Sequence, residues 1–435
     1  MQPETQRERR QTRLRPLAAA TLLAASCGAW ADDDPNPYYI GLTQSFSHDS
    51  NVYRVQPNTP VSTDKGVKLS PGDNYWSTGL VGGVDQPFGR QRFYANGNVR
   101  LNKFQDLGTL DNTSYGLTTG LDWSTIEHIS GHLEASANQN LATYSSTSLA
   151  QQLTKKNVLN DELFLARAQW GGISLWTLEG SLSRRQLRYS AEEYRRFELN
   201  QDAASVGVRF RPSALLSLGT DLRTTRGRYP GLVLASGADA SYHRNDLDFT
   251  ASWEATGLST ITGRLSLSRE HFAKGEQQDF SGATGSLAWG YRPTGKLSFR
   301  TAINRDTGQE TSFFNLGTGS AAPTAVGDNS LLTTGLTFDA TYAATAKIKA
   351  TAGLRYSHRS LNDKLSASGL AAPPVEGSDT LRSVSFGLSY TPTRNWLLGC
   401  NLERDSRGVS STTPSTLSYP YSVNTVSCSA QFTVQ

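Results

Sequence analysis

From residue 396 the chain reads WLLGCNLERD, and its side chains sort by alternate positions. Trp396, Leu398, Cys400 and Leu402 fall on one side of an extended chain; Leu397, Gly399, Asn401, Glu403 and Asp405 fall on the other. A period of two with unlike faces is the mark of a strand that is apolar on one side and wet on the other. The stretch follows Thr391-Pro392-Thr393, and similar turns lead into similar strands elsewhere: Arg211-Pro212-Ser213 before LLSLGTDLR, Arg292-Pro293-Thr294 before KLSFRTAINRD, and Ala344-Thr345 before KIKATAGLRYSH. Read this way, strands are expected near 38–55, 74–84, 91–104, 112–124, 130–146, 157–170, 175–188, 194–211, 215–228, 242–254, 259–272, 279–291, 296–305, 330–343, 347–358, 380–391, 395–407 and 420–434. That is about eighteen strands, with sixteen to eighteen the expected range, and no helical period interrupts them. The array has no internal break, so residues 32–435 are expected to form one all-β domain.

The links between strands alternate in length. Every second one is short: Gln86-Pro87-Phe88-Gly89, Thr125-Ile126-Glu127-His128, Gly171-Gly172, Pro212-Ser213, Thr256-Gly257, Pro293-Thr294-Gly295, Ala343-Ala344-Thr345-Ala346 and Pro392-Thr393-Arg394. The others are long and rich in Pro, Gly, Ser and charge, as in PNTPVSTDKGVKLSPGD (57–73), FFNLGTGSAAPTAVGD (313–328) and LNDKLSASGLAAPPVEGSD (361–379). Tight turns at one end and long loops at the other predict a single antiparallel up-and-down transmembrane β-barrel, with its turns in the periplasm and its loops outside. A soluble sandwich would show the same alternation. The aromatics favour the barrel: Trp123, Trp170, Trp253, Tyr291, Tyr390 and Trp396 lie at strand ends beside the short turns, where an interfacial girdle belongs. Backbone groups in hydrocarbon need partners, so such a sheet must close on itself. A wall of this many strands encloses water.

Composition agrees. Gly is abundant (39), Met occurs once, and the mean hydropathy is negative. No apolar run long enough for a membrane helix lies beyond the first thirty positions. Those positions read as a signal peptide, 1–31: Arg7, Arg9, Arg10, Arg13 and Arg15 form a basic region, Leu17 to Ala25 an apolar one, and Ala29-Trp30-Ala31 an A-x-A cleavage site. Cys27, in LLAASC, is a competing lipoprotein acylation site. The net charge of +4 says little about the barrel, because the basic leader supplies much of it. Nothing suggests a nucleic-acid partner; outer-membrane lipid is the expected surrounding.

The inward positions carry Arg92, Arg100, Arg167, Arg185, Arg209, Arg223, Arg264, Arg300, Lys349 and Arg355, among acidic residues that include Asp122, Glu134, Glu179, Asp221, Asp248 and Asp339. Two readings stay open. Arginine forks suit carboxylate and phosphate, so a ring of them would favour anionic solutes. Alternatively the charges pair across strands and stiffen the wall. No motif announces an enzyme, a cofactor or a metal: Gly-x-Ser-x-Gly, His-Glu-x-x-His, phosphate loops and Cys-x-x-Cys are absent. His48, Asp49 and Asn51 could hold a metal, although a capped strand end explains them as well. Neighbouring strand residues face opposite ways, which removes His48-Asp49-Ser50 as a triad. Cys400 and Cys428 fall on the outward face of the last two strands, and reflection about a loop centred near 414 sets them opposite each other. Opposed residues approach to about 4.5 to 5.5 Å, and an oxidising periplasm would permit a disulfide; two free lipid-facing thiols are the alternative.

The opening strand Tyr38-Tyr39-Ile40-Gly41-Leu42-Thr43 with SFSHDSNVYR (45–54), the recurring Arg-Pro-Ser/Thr turns and the closing Ser429-Ala430-Gln431-Phe432-Thr433-Val434-Gln435 together resemble the β-barrel porin 2 group. Within it they are similar to the EpsL-type outer-membrane proteins of exopolysaccharide biosynthesis. The resemblance covers the whole chain beyond the leader. It implies a porin-like role in polysaccharide export, with the barrel assembly machinery, polysaccharide and periplasmic export components as partners. One departure is that Phe432 is followed by three more residues, where assembly signals usually end on the aromatic. An export channel, a general diffusion porin for small anionic solutes and a non-conducting scaffold or adhesion barrel are the readings to separate; in a porin, 306–329 is the candidate for a loop that narrows the pore.

Overall fold

The computed structural model describes residues 36–57, 59–62, 66, 68–126, 128–144, 154–172, 174–233, 239–273, 279–307, 330–363, 366–367, 370–371, 375–411, 418 and 420–435. The expected leader with Ala29 and Ala31, Cys27, and the part of the candidate narrowing loop from 308 to 329 lie outside the described residues.

Eighteen long strands form one sheet. In chain order they are β1 (Tyr38–Asp49), β2 (Asp73–Phe88), β3 (Gln91–Phe104), β4 (Asn112–Ser124), β5 (Ile129–Leu141), β6 (Val158–Trp170), β7 (Trp176–Tyr189), β8 (Leu199–Ser213), β9 (Leu216–Val233), β10 (Asp239–Thr256), β11 (Ser259–Phe272), β12 (Phe280–Tyr291), β13 (Leu297–Asp306), β14 (Ser330–Ala343), β15 (Ile348–Asp363), β16 (Val375–Tyr390), β17 (Trp396–Ser411) and β18 (Tyr421–Val434). Each pairs antiparallel with the next, and β1 closes the ring on β18 from Ile40 against Val434 to Asp49 against Thr425. Closure leaves no open edge, as a sheet surrounded by hydrocarbon requires.

The recurrent turn motif has a simple chemistry. Ser213 Oγ accepts the backbone N–H groups of Leu215 (3.3 Å) and Leu216 (3.2 Å), Thr294 Oγ1 those of Lys296 (3.3 Å) and Leu297 (3.0 Å), and Thr345 Oγ1 those of Lys347 (3.1 Å) and Ile348 (3.0 Å). A short hydroxyl side chain thus satisfies the two donors freed where the chain reverses. The fourth turn differs, closing through a backbone bond from Trp396 N–H to the Thr393 carbonyl (3.4 Å). Gly171 (φ 118°) and Gly172 (φ 52°) supply left-handed backbone between β6 and β7 at no steric cost.

Alternation sets the faces. Leu182 (61 % exposed), Leu265, Phe386 (51 %) and Leu402 belong to a belt of large apolar side chains that stand exposed on the outer face. Such a continuous band marks a membrane-facing surface rather than a soluble one. Among the described residues no helix is long and apolar enough to cross a membrane, so the strands carry the belt.

Several boundaries depart from the expected ones: β2, β9, β15, β16 and β17 run four or five residues farther than expected, and three strands are shorter at the long-loop end. β1 stops at Asp49 rather than 55, because Asp49 Oδ1 accepts the Asn51 N–H (2.8 Å) and Arg54 turns the chain through φ 54°. β5 ends at Leu141 rather than 146. β8 begins at Leu199 rather than 194, since Glu192–Phe197 forms a 3-10 turn.

Candidate functional site

The face opposite the apolar belt lines the interior, and the structure mostly pairs the charges the sequence put there. Arg185 holds Asp161 through two parallel bonds (Nε to Oδ1 2.9 Å, Nη2 to Oδ2 2.6 Å). Arg209 clasps Glu179, beside Asp221. Asp122 accepts from His132 Nδ1 (2.8 Å) and lies 3.6 Å from Arg92, while Glu134 accepts from the Tyr94 hydroxyl (2.7 Å). Arg223 bridges Asp248 (2.9 Å) and Asp246 (3.1 Å); Arg264 reaches Asp306 (2.8 Å) and approaches Asp248 (3.7 Å). Each of these five arginines sits in an ion pair with a carboxylate of another strand.

Sequence reasoning missed the centre of that network. The Arg244 guanidinium is fully buried among Asp246 (2.9 Å), Glu270 (3.5 Å), Ser268 (2.9 Å), Thr284 (3.2 Å) and Thr307 (2.6 Å). With Arg223 and Arg264 it gives three guanidiniums to four carboxylates, those of Asp246, Asp248, Glu270 and Asp306, spread over β9, β10, β11 and β13. The signal was present: Arg244, Asp246 and Asp248 stand at alternate positions on one face of β10.

A second group stays open. Arg100, Arg300 and Lys349 form no ion pair with another described residue, and the Arg100 and Arg300 Nε atoms are unpartnered. Arg300 faces Asp339 across the β13–β14 register, and Arg355 acts on the same carboxylate from β15. Lys349 shares the Arg355 face of β15. The patch therefore sets two arginines beside one carboxylate, with Lys349 farther along the same face. Arg100 lies over Gly79, where a Cβ would come within 2.7 Å of its Cγ, and beside Tyr75.

At the long-loop end the interior becomes apolar. Val52, Tyr53 and Val55, which follow β1, pack with Leu107, Leu110 and Tyr144 in one buried cluster. Tyr53 donates to the Thr154 carbonyl (3.3 Å) and meets the Tyr144 ring edge-on at 5.3 Å. Tyr144 follows β5, so this contact spans four strands of the rim and draws the loops over the mouth. Tyr189, Tyr194 and Phe197 form a second cluster, and Leu187, Leu199, Tyr229 and Tyr242 a third. Burial pushes the Tyr53 phenol up to about 12 and raises Tyr144 likewise, whereas Lys155 holds Glu193 below the usual carboxylate range.

Of the expected girdle, Trp170, Trp253, Tyr390 and Trp396 stand exposed beside the short turns, Tyr291 stacks on Trp289 (5.5 Å), and Trp123 lies across Gly131. His48 and Asp49 diverge: His48 bonds Asn74 on the outer face (2.8 Å), and Asp49 pairs with Arg54 inside (2.8 Å). This removes them as joint metal ligands, and among the described residues no other cluster could hold a metal ion. Cys400 and Cys428 are register partners with Cα atoms 4.0 Å apart and their sulfurs joined.

No protein-family model and no curated protein matches the sequence, so the resemblance to EpsL-type proteins gains no support there. Among solved structures the chain is similar to Pseudomonas aeruginosa OccK2 (OpdF), at 13 % identity over 91 % of this chain and 98 % of that one, with a TM-score of 0.46. The same OccK2 (OpdF) in complex with glucuronate gives 12 %, 92 %, 98 % and 0.45. The outer membrane protein opdK of Pseudomonas aeruginosa gives 11 %, 91 %, 99 % and 0.43. At these TM-scores the likeness carries no argument about function.

Proposed function

We propose that the protein is an outer-membrane channel for small polar solutes that favours anions. The observation that carries the reading is the cation excess on the inner face of β13, β14 and β15, where Arg300 and Arg355 flank Asp339 and Lys349 stands farther along the Arg355 face. Most other interior charges are paired, and unpaired ones such as Arg100 on β3 and Glu403 and Asp405 on β17 stand on other strands. Eighteen strands enclose a wet lumen, and small residues such as Gly353, Ser385, Gly387 and Ser389 keep the wall beside the patch thin. The buried cluster around Tyr53 narrows the far mouth, which suits a compact solute. A polymer would have to thread past it, so the geometry weighs against the exopolysaccharide conduit that the resemblance implied.

Planar-bilayer recording tests the proposal. The refolded protein is expected to conduct, with a reversal potential in a KCl gradient on the chloride side. A silent bilayer would favour a scaffold, and a potassium-side reversal would overturn the anion preference.

A further inference from the structure

We infer that the outer wall carries a one-sided docking surface for phosphate-bearing lipid headgroups, at the long-loop edge of the apolar belt. The inference rests on the membrane reading and goes beyond the lumen. Arg184, Arg226, Arg269, Arg305, Arg382 and Arg404 all point outward and are exposed. Five of them follow the last large apolar residue of their strand by two positions toward the loops: Leu182, Leu267, Ile303, Val384 and Leu402. Arg226 stands four beyond Leu222. A side chain two residues past the apolar edge sits about 7 Å farther along the strand, at the depth where hydrocarbon gives way to headgroups.

Register joins them into a row. Arg184 faces Asp202, Asp202 faces Arg226, and Arg226 faces His243, which faces His271. Farther round, Arg305 faces Thr334, Thr334 faces His358, and Arg382 and Arg404 stand on neighbouring strands. Three acids stand on or beside this outer row: Asp202 lies 3.8 Å from Arg184, Asp279 pairs with His271 (2.6 Å) near Arg269, and Glu162 stands on β6. Arg226, Arg305, Arg382 and Arg404 form no ion pair with another described residue. The remaining arc carries Asn424, His48 and Asn74 on β18, β1 and β2 at this level, and Lys103 on β3, which Asp111 neutralises (2.7 Å). Hence the surface covers β7 to β17 only.

Exposed arginines at an interface are anchors with nothing of their own to bind. Their planar forks match phosphate oxygens two at a time, which headgroups lacking phosphate cannot offer. Each basic group near an anionic lipid surface contributes roughly a fivefold gain in binding, and several in one row share the same headgroup layer, so the gains compound.

The test uses the full chain folded into phosphatidylcholine vesicles containing labelled bisphosphorylated lipid A, with energy transfer from tryptophan reporting enrichment beside the barrel. Wild-type protein is expected to enrich the labelled lipid, and the variant R226Q/R305Q/R382Q/R404Q to lose roughly several hundredfold of that preference. The corresponding four-lysine variant should keep most of it. Lipid A without phosphates should not be enriched by the wild type, a comparison that needs no variant to fold, and inorganic phosphate should not compete. Equal enrichment of phosphorylated and dephosphorylated lipid, or an unchanged preference in the glutamine variant, would overturn the inference. Failure to fold into any vesicle would instead bring down the membrane reading, and this inference with it.

Discussion

Arg244→Met is the sharpest test of how the wall is held together. The methionine fills much of the same volume, so the change is chiefly electrical. It removes the one guanidinium that touches Asp246, Glu270, Ser268, Thr284 and Thr307 at once, and it leaves Asp246 and Glu270 where water reaches almost none of their surface. Hydrogen bonds to charged groups contribute about 1.5 to 3 kcal/mol each, and their plain sum would run past any measured value. Asp246 keeps Arg223 (3.1 Å) and Ser268 (2.5 Å), which limits the loss. Breaking a buried pair by deleting one partner costs about 3 to 5 kcal/mol, and that is the magnitude expected here. Urea unfolding from phosphatidylcholine vesicles, followed by tryptophan fluorescence, measures it. Replacing the acids too, as R244M/D246L/E270M, should recover most of the stability, because no charge is then left stranded. A loss below about 1 kcal/mol for the single variant, or a deeper loss for the triple one, would refute the argument that these charges stabilise the wall by mutual neutralisation.

Three further outcomes are expected. Replacing Arg300 and Lys349 by Gln removes two lumen charges; at about 10 Å in water each interacts with a passing ion by roughly 0.4 kcal/mol, so the chloride-to-potassium permeability ratio should fall severalfold per charge, as the reversal potential will report. Tyr53 stays neutral in its cluster up to about 12 while an exposed phenol ionises near 10; its contribution to the folded loops is therefore intact below pH 10 and lost as pH rises through 12, and the tyrosinate absorbance of wild type minus Tyr53→Phe should titrate near the upper value. Mass spectrometry of the unreduced protein should find Cys400 and Cys428 unavailable to alkylation, and both alkylated would dispose of the bridge.

The barrel was legible because its signals are local. Alternation over a single strand, the hydroxyl turn at Ser213 or Thr294 and the switch from short to long links each occupy a few residues, and all eighteen strands were visible from them. The interior was less so. Arg264 meets Asp306 across 42 residues and Arg244 meets Thr307 across 63, between strands that are not sheet neighbours, and no periodicity encodes such partners. The loop cluster misled for a different reason: Tyr53 and Val55 continue the alternation of β1, so the stretch reads as strand until the bend at Arg54 shows it folded into the cluster. The outward arginines carry a weaker signal, since a single charge on the apolar face breaks no period; their position just past Leu182, Leu267 or Leu402 is the sign the sequence holds.

The seam between β1 and β18 sets a schedule for making this molecule. Ser47 bonds Ser427 across 380 residues of chain, so the earliest strand to be synthesised is satisfied last. Until Tyr421–Val434 arrives, both rims of the growing sheet stand unpaired, and each is a template for another chain. Contacts this remote in sequence form slowly. A polypeptide cut short by even its final fourteen residues is thus expected to remain a ribbon with two sticky borders, and whatever escorts the chain must shield them until the end is in hand.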